Sequence, residues 1–249
     1  HTTGSDRVWK FMGNGASAEG ISYHAHEFGH DNNDTQMMIM KEHHGSFASV
    51  LLDLRCARSA STAYDFLQGR SSGTSDTEFR VRGDGAVTSD NGFDGSGADY
   101  AEYFEWADGN SDSQDRTGYT VVLDGEKIKL ATSDDAAANV IGAVSVNPSV
   151  VGDSDILRWK QKYLKDDFGA YIYEDYDVED DDGNTVVQQR RKLNPDYDED
   201  NAYISREDRK EWATIGMMGK LRIRKGQPTG DRWIKMRDVS DTVEEWLVR

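Results

Sequence analysis

Brief runs of apolar or alternating residues, separated by clusters of Gly, Asn, Asp and Ser, fill the chain up to about residue 95. This pattern predicts short strands joined by turns. The predicted strands are Arg7–Phe11, Met37–Met40, Val50–Leu54, Phe79–Arg82 and Ala86–Thr88. The turn Gly83–Gly85 leads from the fourth of these runs back into the fifth.

Strands are also predicted in the second part of the chain. The run from Gly118 to Ala131 predicts a hairpin with Asp124-Gly125 at its turn, because Asp-Gly supplies the backbone conformation that a tight hairpin needs. Further strands are predicted at Asn139–Val146, Gly216–Gly230 and Trp233–Met236. The fold class is therefore expected to be mainly β.

Two segments carry a helical pattern instead. Ser154–Lys165 places its apolar residues on one side of a helix and begins with a good capping residue. A short amphipathic helix is predicted at the C terminus from the spacing of Val243, Trp246 and Leu247. We expect these one or two helices to accompany the strands.

An acidic stretch lies between two predicted strands. Seven of the nine residues in Glu174–Asp182 are acidic, and they separate Tyr171–Tyr173 from Thr185–Val187. A solvated hairpin tip is the simpler interpretation. The alternative is a calcium loop, but the stretch lacks the regular alternation and the terminal Glu of an EF-hand.

The composition restricts the class of protein. Only 36% of the 249 residues are hydrophobic and the net charge is −17, so nucleic acid and anionic membranes are disfavoured as partners. Single Cys56 excludes an intrachain disulfide, and the sequence has no membrane-spanning run or signal peptide. Because the chain begins at His1 without Met, we expect it to be a fragment of a longer protein.

The Gly-rich segment Gly92–Gly97 is the best candidate for a domain boundary. It divides the chain into residues 1–96 and residues 97–249. The short strands of the first part suit the end of a fibre, in which three chains bury one another's strands. Burial between subunits would also compensate for the low hydrophobic content.

Two carboxylates, Asp99 and Glu102, follow this hinge directly and precede an aromatic run. Aromatic side chains exclude water, which raises the pKa of a carboxyl group toward the range useful for proton transfer. The two side chains would point to opposite faces of a strand but to one face of a helix. In a third arrangement, which we favour, Asp99 of one chain meets Glu102 of a neighbouring chain at a threefold axis, so that cutting would depend on trimer assembly.

Several blocks in order resemble a known family. They are Gly97–Trp106, Gly118–Gly125, Val140–Ser145 and Ile215–Gly226. Over roughly residues 92–249, the chain resembles the C-terminal autoproteolytic chaperone domain of phage tailspikes and neck appendages, the peptidase G2 family.

The resemblance implies a homotrimeric intramolecular chaperone that helps three fibre chains to fold and then cuts itself off once, without a cofactor. The implied cut lies between Ala98 and Asp99, with Asp99 and Glu102 as the acidic pair. Glu102 would act as the base toward water, and Asp99 as the acid or as a polariser of the Ala98 carbonyl. The mature part would reside in the virion tail, and the released chaperone in the host cytoplasm.

Histidine motifs offer weaker alternatives. His26–His30 matches the zinc-protease pattern His-Glu-x-x-His, but that pattern requires a helix, which Gly29 and the following turn residues oppose. His24 and His26 could present imidazoles around a threefold axis and bind a transition metal. Ordinary surface or turn histidines are the simpler interpretation, and we predict no metal.

The rival function is a non-cleaving trimeric tip that binds a receptor on the host surface through exposed aromatics and loops. Arg82-Gly83-Asp84 resembles an integrin-type tripeptide, but a turn is the far commoner explanation of these three residues. Seven basic residues and one acid lie between Lys220 and Arg237. They could bind an anion, or neutralise acidic neighbours within the assembly, which we favour.

Overall fold

The computed structural model describes residues 45–72, 76–154, 162–179 and 183–249. Contacts divide the chain into two units, His1–Leu54 and Arg55–Arg249. In the described part of the first unit, residues 45–54 are exposed and form no strand, so the predicted strand Val50–Leu54 is wrong. The predicted strands at 7–11 and 37–40, together with His24 and His26, lie outside the described residues.

Strands dominate the second unit, and its described helical segments are two 3-10 turns, Ala137–Asn139 and Arg206–Asp208. The strands in chain order are β1 (Asp65–Ser71), β2 (Asp76–Arg82), β3 (Val87–Ser89), β4 (Asp99–Glu105), β5 (Thr120–Asp124), β6 (Lys127–Leu130), β7 (Val140–Val144), β8 (Val150–Gly152), β9 (Tyr173–Glu179), β10 (Thr185–Arg191), β11 (Trp212–Arg224), β12 (Ile234–Asp238) and β13 (Val243–Val248). The expected mainly β fold is confirmed.

Two small sheets confirm two predicted hairpins. β1, β2 and β3 form an antiparallel sheet in which Phe79 pairs with Ser89 across the Gly83–Gly85 turn. β9 and β10 pair in unbroken register from Tyr173 to Glu179. The hairpin itself is therefore confirmed, but residues 174–179 of the acidic stretch form most of strand β9 rather than the tip of the hairpin, and residues 180–182 lie outside the described residues. Among the described residues, no group of three or more His, Cys, Asp or Glu could hold a metal ion.

The large sheet has the strand order β12-β13-β11-β7-β5-β6, with β4 paired to both β11 and β8. The predicted Asp124-Gly125 hairpin is confirmed as the connection between β5 and β6, and Gly125 adopts a positive φ of 66° at its turn. β11 is the longest strand and contacts β4, β7 and β13. β11 therefore joins these three strands in one sheet.

The main core lies against β11. Trp106, Val121, Ile128 and Ile215 are fully buried in one cluster. Burying a large apolar side chain of this kind contributes about 1.5–3 kcal/mol each. Trp106 directly follows β4 and Ile215 lies within β11, so this packing fixes the two strands that form the candidate site.

The predicted C-terminal helix is wrong, because Val243–Val248 is the strand β13 between β11 and β12. Glu244 and Glu245 are buried there, with exposures of 7% and 8%. Lys235 lies 2.7 Å from Glu244, and Arg237 lies 2.8 Å from Glu245. A buried charge is tolerated only with such a partner, and the partners come from the neighbouring strand.

Part of the helix predicted at Ser154–Lys165 is also wrong. Residues 155–161 lie outside the described residues, but Tyr163 and Lys165 form bridges with Leu193 and Tyr171. The end of the segment is therefore extended rather than helical. Among the described residues, no helix has the length and apolar character needed to cross a membrane.

Candidate active site

The peptide bond between Ala98 and Asp99 lies where the chain enters β4. Ala98 is exposed in a bend, whereas Asp99 is the first residue of the strand and only 6% exposed. Gly97 packs against the backbone of the segment before β8, where its Cβ would stand 2.3 Å from the amide nitrogen of Ser149. A glycine is therefore required in this bend.

Backbone hydrogen bonds hold the carbonyls on both sides of Asp99. The N–H of Lys220 donates to the carbonyl oxygen of Ala98 at 3.0 Å, and the N–H of Ser149 donates to the carbonyl oxygen of Asp99 at 2.7 Å. The bond is thus accessible from one side and fixed in orientation by two neighbouring segments.

A bulge in β11 brings that strand close to this bond. The pairing of β11 with β4 is irregular between Gly216 and Met218, and Gly219 has a φ of +107°. A Cβ at Gly219 would stand 2.4 Å from the carbonyl oxygen of Ala98. Both the backbone conformation and the lack of space require glycine here.

The carboxyl group of Asp99 points into the protein. Its Oδ2 atom is buried and has no hydrogen-bond partner within the described part of the chain. Burial raises the pKa of this carboxyl group, and a hydrogen bond with the Ser145 side chain opposes the rise. The proton is therefore retained to a higher pH than by an exposed Asp.

Glu102 lies on the other face of the same strand. It is half-buried, and its Oε1 accepts a hydrogen bond of 2.6 Å from the Tyr100 hydroxyl, which also raises the pKa of Tyr100. Gly152 makes room for both side chains, since its Cβ would stand 2.9 Å from Cγ of Glu102. Because alternate side chains of a strand point to opposite faces, Asp99 and Glu102 of one chain are directed apart.

The structure therefore has the extended arrangement of this pair within one chain, not the helical one. A meeting of Asp99 with Glu102 of another subunit stays a prediction, as do the cleavage site and the boundary at residues 96 and 97.

A cavity of about 980 Å³ opens beside the bond, and Ala98, Asp99 and Ser145 contribute to its wall. Basic residues from β11 also line this cavity, and two of them pair with acids. Arg222 lies 3.5 Å from Glu245 and Arg224 lies 3.1 Å from Asp115. These pairs agree with the interpretation that the basic segment neutralises nearby acids.

Sequence reasoning found the carboxylates but missed the residues around them. Ser145, Gly216 and Gly219 lie far along the chain from Asp99, and only the fold brings them to it. One signal was present, because two glycines inside a predicted strand indicate a bulge or a close backbone approach.

Comparison with known proteins places this arrangement in a class. Residues 58–246 match the family described as Peptidase_G2, IMC autoproteolytic cleavage domain. This match covers most of the chain, so the chain belongs to that family and carries an autoproteolytic cleavage domain. The resemblance to the peptidase G2 family is confirmed.

Appendage proteins of phages are among the similar proteins. The pre-neck appendage proteins of Bacillus phages B103 and phi29 are 36% and 35% identical to this chain over 127 and 128 residues. Each match covers 51% of this chain and 14% of the relative. The crystal structure of the pre-mature bacteriophage phi29 gene product 12 matches with a TM-score of 0.59 and 27% identity, over 70% of this chain and 24% of that chain.

Proposed function

We propose that this chain is the C-terminal part of a phage appendage or fibre protein, and that it cuts its own Ala98–Asp99 bond after assembling as a homotrimer. The observation that carries the proposal is the position of this bond. It is exposed at the mouth of a cavity, and the first residue after it bears a buried carboxyl group. Pre-neck appendage proteins of phages are among the relatives of this chain.

Hydrolysis needs a base for the attacking water and an acid for the departing nitrogen. Glu102 takes a proton from water, and the water oxygen adds to the carbonyl carbon of Ala98. The Asp99 carboxyl group gives its proton to the amide nitrogen as the C–N bond breaks. The raised pKa of Asp99 suits the role of the acid, because the group keeps its proton nearer to neutral pH.

The two groups come from different subunits in this proposal. Within one chain they point to opposite faces of β4, so a single chain does not assemble the pair. A neighbouring subunit that brings its Glu102 to the face of Asp99 would complete it. Cleavage would then require the trimer, and the chaperone would act before it is released.

The cut can be located by mass spectrometry of the freshly made full chain. We expect two products, residues 1–98 and residues 99–249, the second with Asp99 at its N terminus. Asp99→Asn and Glu102→Gln should each leave the chain intact. The control is Glu105→Gln, which removes another half-buried carboxylate of β4, one that pairs with Lys127 at 2.7 Å. This variant should still be cut.

Mixed trimers test whether the pair forms between subunits. Chains carrying Asp99→Asn and chains carrying Glu102→Gln, labelled with tags of different length, are folded together. Only the Glu102→Gln chain should be cut, because its intact Asp99 can meet Glu102 of a neighbour. If each substitution alone abolishes cleavage and neither chain is cut in the mixture, the arrangement between subunits is contradicted.

A further inference from the structure

A fixed backbone donor is aimed at the carbonyl oxygen of Ala98. The N–H of Lys220 lies 3.0 Å from that oxygen. Lys220 belongs to β11, and the next inward-facing residues of this strand, Leu221 and Ile223, are 2% and 0% exposed. A donor in a strand anchored in this way keeps its direction without reorganisation.

Gly219 allows the strand to come close enough for this contact. Its φ of +107° is a conformation that other L-residues rarely adopt. A Cβ at this position would stand 2.4 Å from the carbonyl oxygen of Ala98 and 2.9 Å from Cα of Asp99. Any other residue would push β11 away from the bond.

Ala98 is exposed and lines the cavity, so water can reach this residue. Water that adds to its carbonyl carbon leaves a negative charge on the carbonyl oxygen. A preorganised N–H stabilises that charge more strongly than it stabilises the neutral carbonyl. A hydrogen bond to a carbonyl that does not react would only pair the two strands and would not lower the barrier to cleavage.

We propose that the Lys220 amide is a catalytic donor that stabilises the oxyanion formed on Ala98, and that Gly219 is the residue that positions it. This inference rests on the proposed cut between Ala98 and Asp99. The proposed site then has three groups. The two carboxyl groups transfer protons, and the backbone N–H of Lys220 stabilises the charge on the Ala98 carbonyl oxygen.

The test replaces one backbone N–H by oxygen. The full chain is made by semisynthesis with the α-hydroxy acid analogue of lysine at position 220, which preserves the side chain and removes the donor. The matched control carries the corresponding analogue of arginine at position 224. That control loses the hydrogen bond from the Arg224 N–H to the carbonyl oxygen of Gly118, 2.9 Å long, from the same strand.

We expect the ester at 220 to slow the appearance of the product that begins with Asp99 by about 10²-fold. The ester at 224 should be cut at nearly the rate of the unmodified chain. Both should assemble to the same extent, as judged by light scattering. The pH midpoint of cleavage should not move in the ester at 220, because no carboxyl group has been changed.

Equal cleavage rates in the two esters would overturn the inference. So would a shift of the pH midpoint in the ester at 220 with an unchanged maximal rate, because this would indicate a disturbed carboxyl pair. If the unmodified chain gives no product that begins with Asp99, the proposed function itself fails, and the inference fails with it.

Discussion

The carboxyl group of Asp99 occupies the space that a side chain at Gly216 would need. A Cβ at position 216 would stand 2.5 Å from Oδ2 of Asp99 and 2.3 Å from Cδ2 of Leu221. Atoms this close cannot coexist, so one of these side chains would have to move. The burial of the Asp99 carboxyl group therefore depends on a glycine in the facing strand.

Gly216→Ala should slow self-cleavage and destabilise the chain by about 1–3 kcal/mol, the usual cost of overpacking a well-filled site. The rate is measured by denaturing gel electrophoresis, and the free energy of unfolding in a Glu102→Gln background. Gly69→Ala is the control, because a Cβ there would lie 3.9 Å from Cβ of Phe79, an ordinary contact. Equal effects of the two substitutions would contradict this account.

The raised pKa of Asp99 makes stability depend on pH with a definite sign. Because the folded state holds the proton more tightly than the unfolded state, stability is lost as the pH rises from the ordinary Asp pKa through the raised one. Asp99→Asn removes this loss. Thermal unfolding of Glu102→Gln and of Glu102→Gln/Asp99→Asn should therefore diverge with increasing pH, with the double variant the more stable. Parallel curves would show that the pKa of Asp99 is not raised in the folded state.

Ser145→Ala should move the pH dependence of cleavage upward. The Ser145 side chain lowers the pKa of Asp99 against the larger effect of burial, so its removal raises that pKa further. If Asp99 is the acid, the rate falls only when the pH exceeds its pKa, and the fall should occur at higher pH in the variant. Rates of the wild type and the variant across a pH series give the comparison. A fall at lower pH would assign Asp99 a different role.

Trp106→Ala should cost about 3–5 kcal/mol, the usual range for truncating a buried aromatic residue. Trp106 is 1% exposed, and the Arg116 guanidinium lies 4.4 Å from the centre of its ring. Chemical denaturation in the Glu102→Gln background measures the loss. Leu123→Ala serves as the control, since Leu123 is 52% exposed and its truncation should change stability by less than about 0.5 kcal/mol. Similar losses in both would contradict the assigned core.

Local sequence signals predicted the parts of the fold that are determined locally. The Asp124-Gly125 turn fixes its own hairpin, so the turn residues alone were sufficient. The segment Val243–Val248 misled because a six-residue apolar pattern fits a helix and a strand equally. Its strand state depends on Lys235 and Arg237, which neutralise Glu244 and Glu245 from the neighbouring strand.

The candidate site shows the same limit. The pair Asp99 and Glu102 stood out because the two residues are close in sequence and follow a glycine-rich hinge. The burial of Oδ2 of Asp99 without a hydrogen-bond partner among the described residues, and the close approach of Gly216 and Gly219, arise only when distant strands pair. Residue spacing cannot predict such contacts, although a glycine inside a predicted strand can indicate a bulge or a close backbone approach.

The place of Asp99 at the very start of β4 bears on why a cut there would be permanent. Breaking the preceding bond would leave β4 paired with β11 and create a new α-amino group on Asp99 itself. That group carries a positive charge below a pH of about 8. In its charged form the nitrogen has no lone pair with which to attack the new carboxyl group of Ala98, and the charge would favour the ionised form of the buried Asp99 carboxyl beside it, so the cut ends would not rejoin.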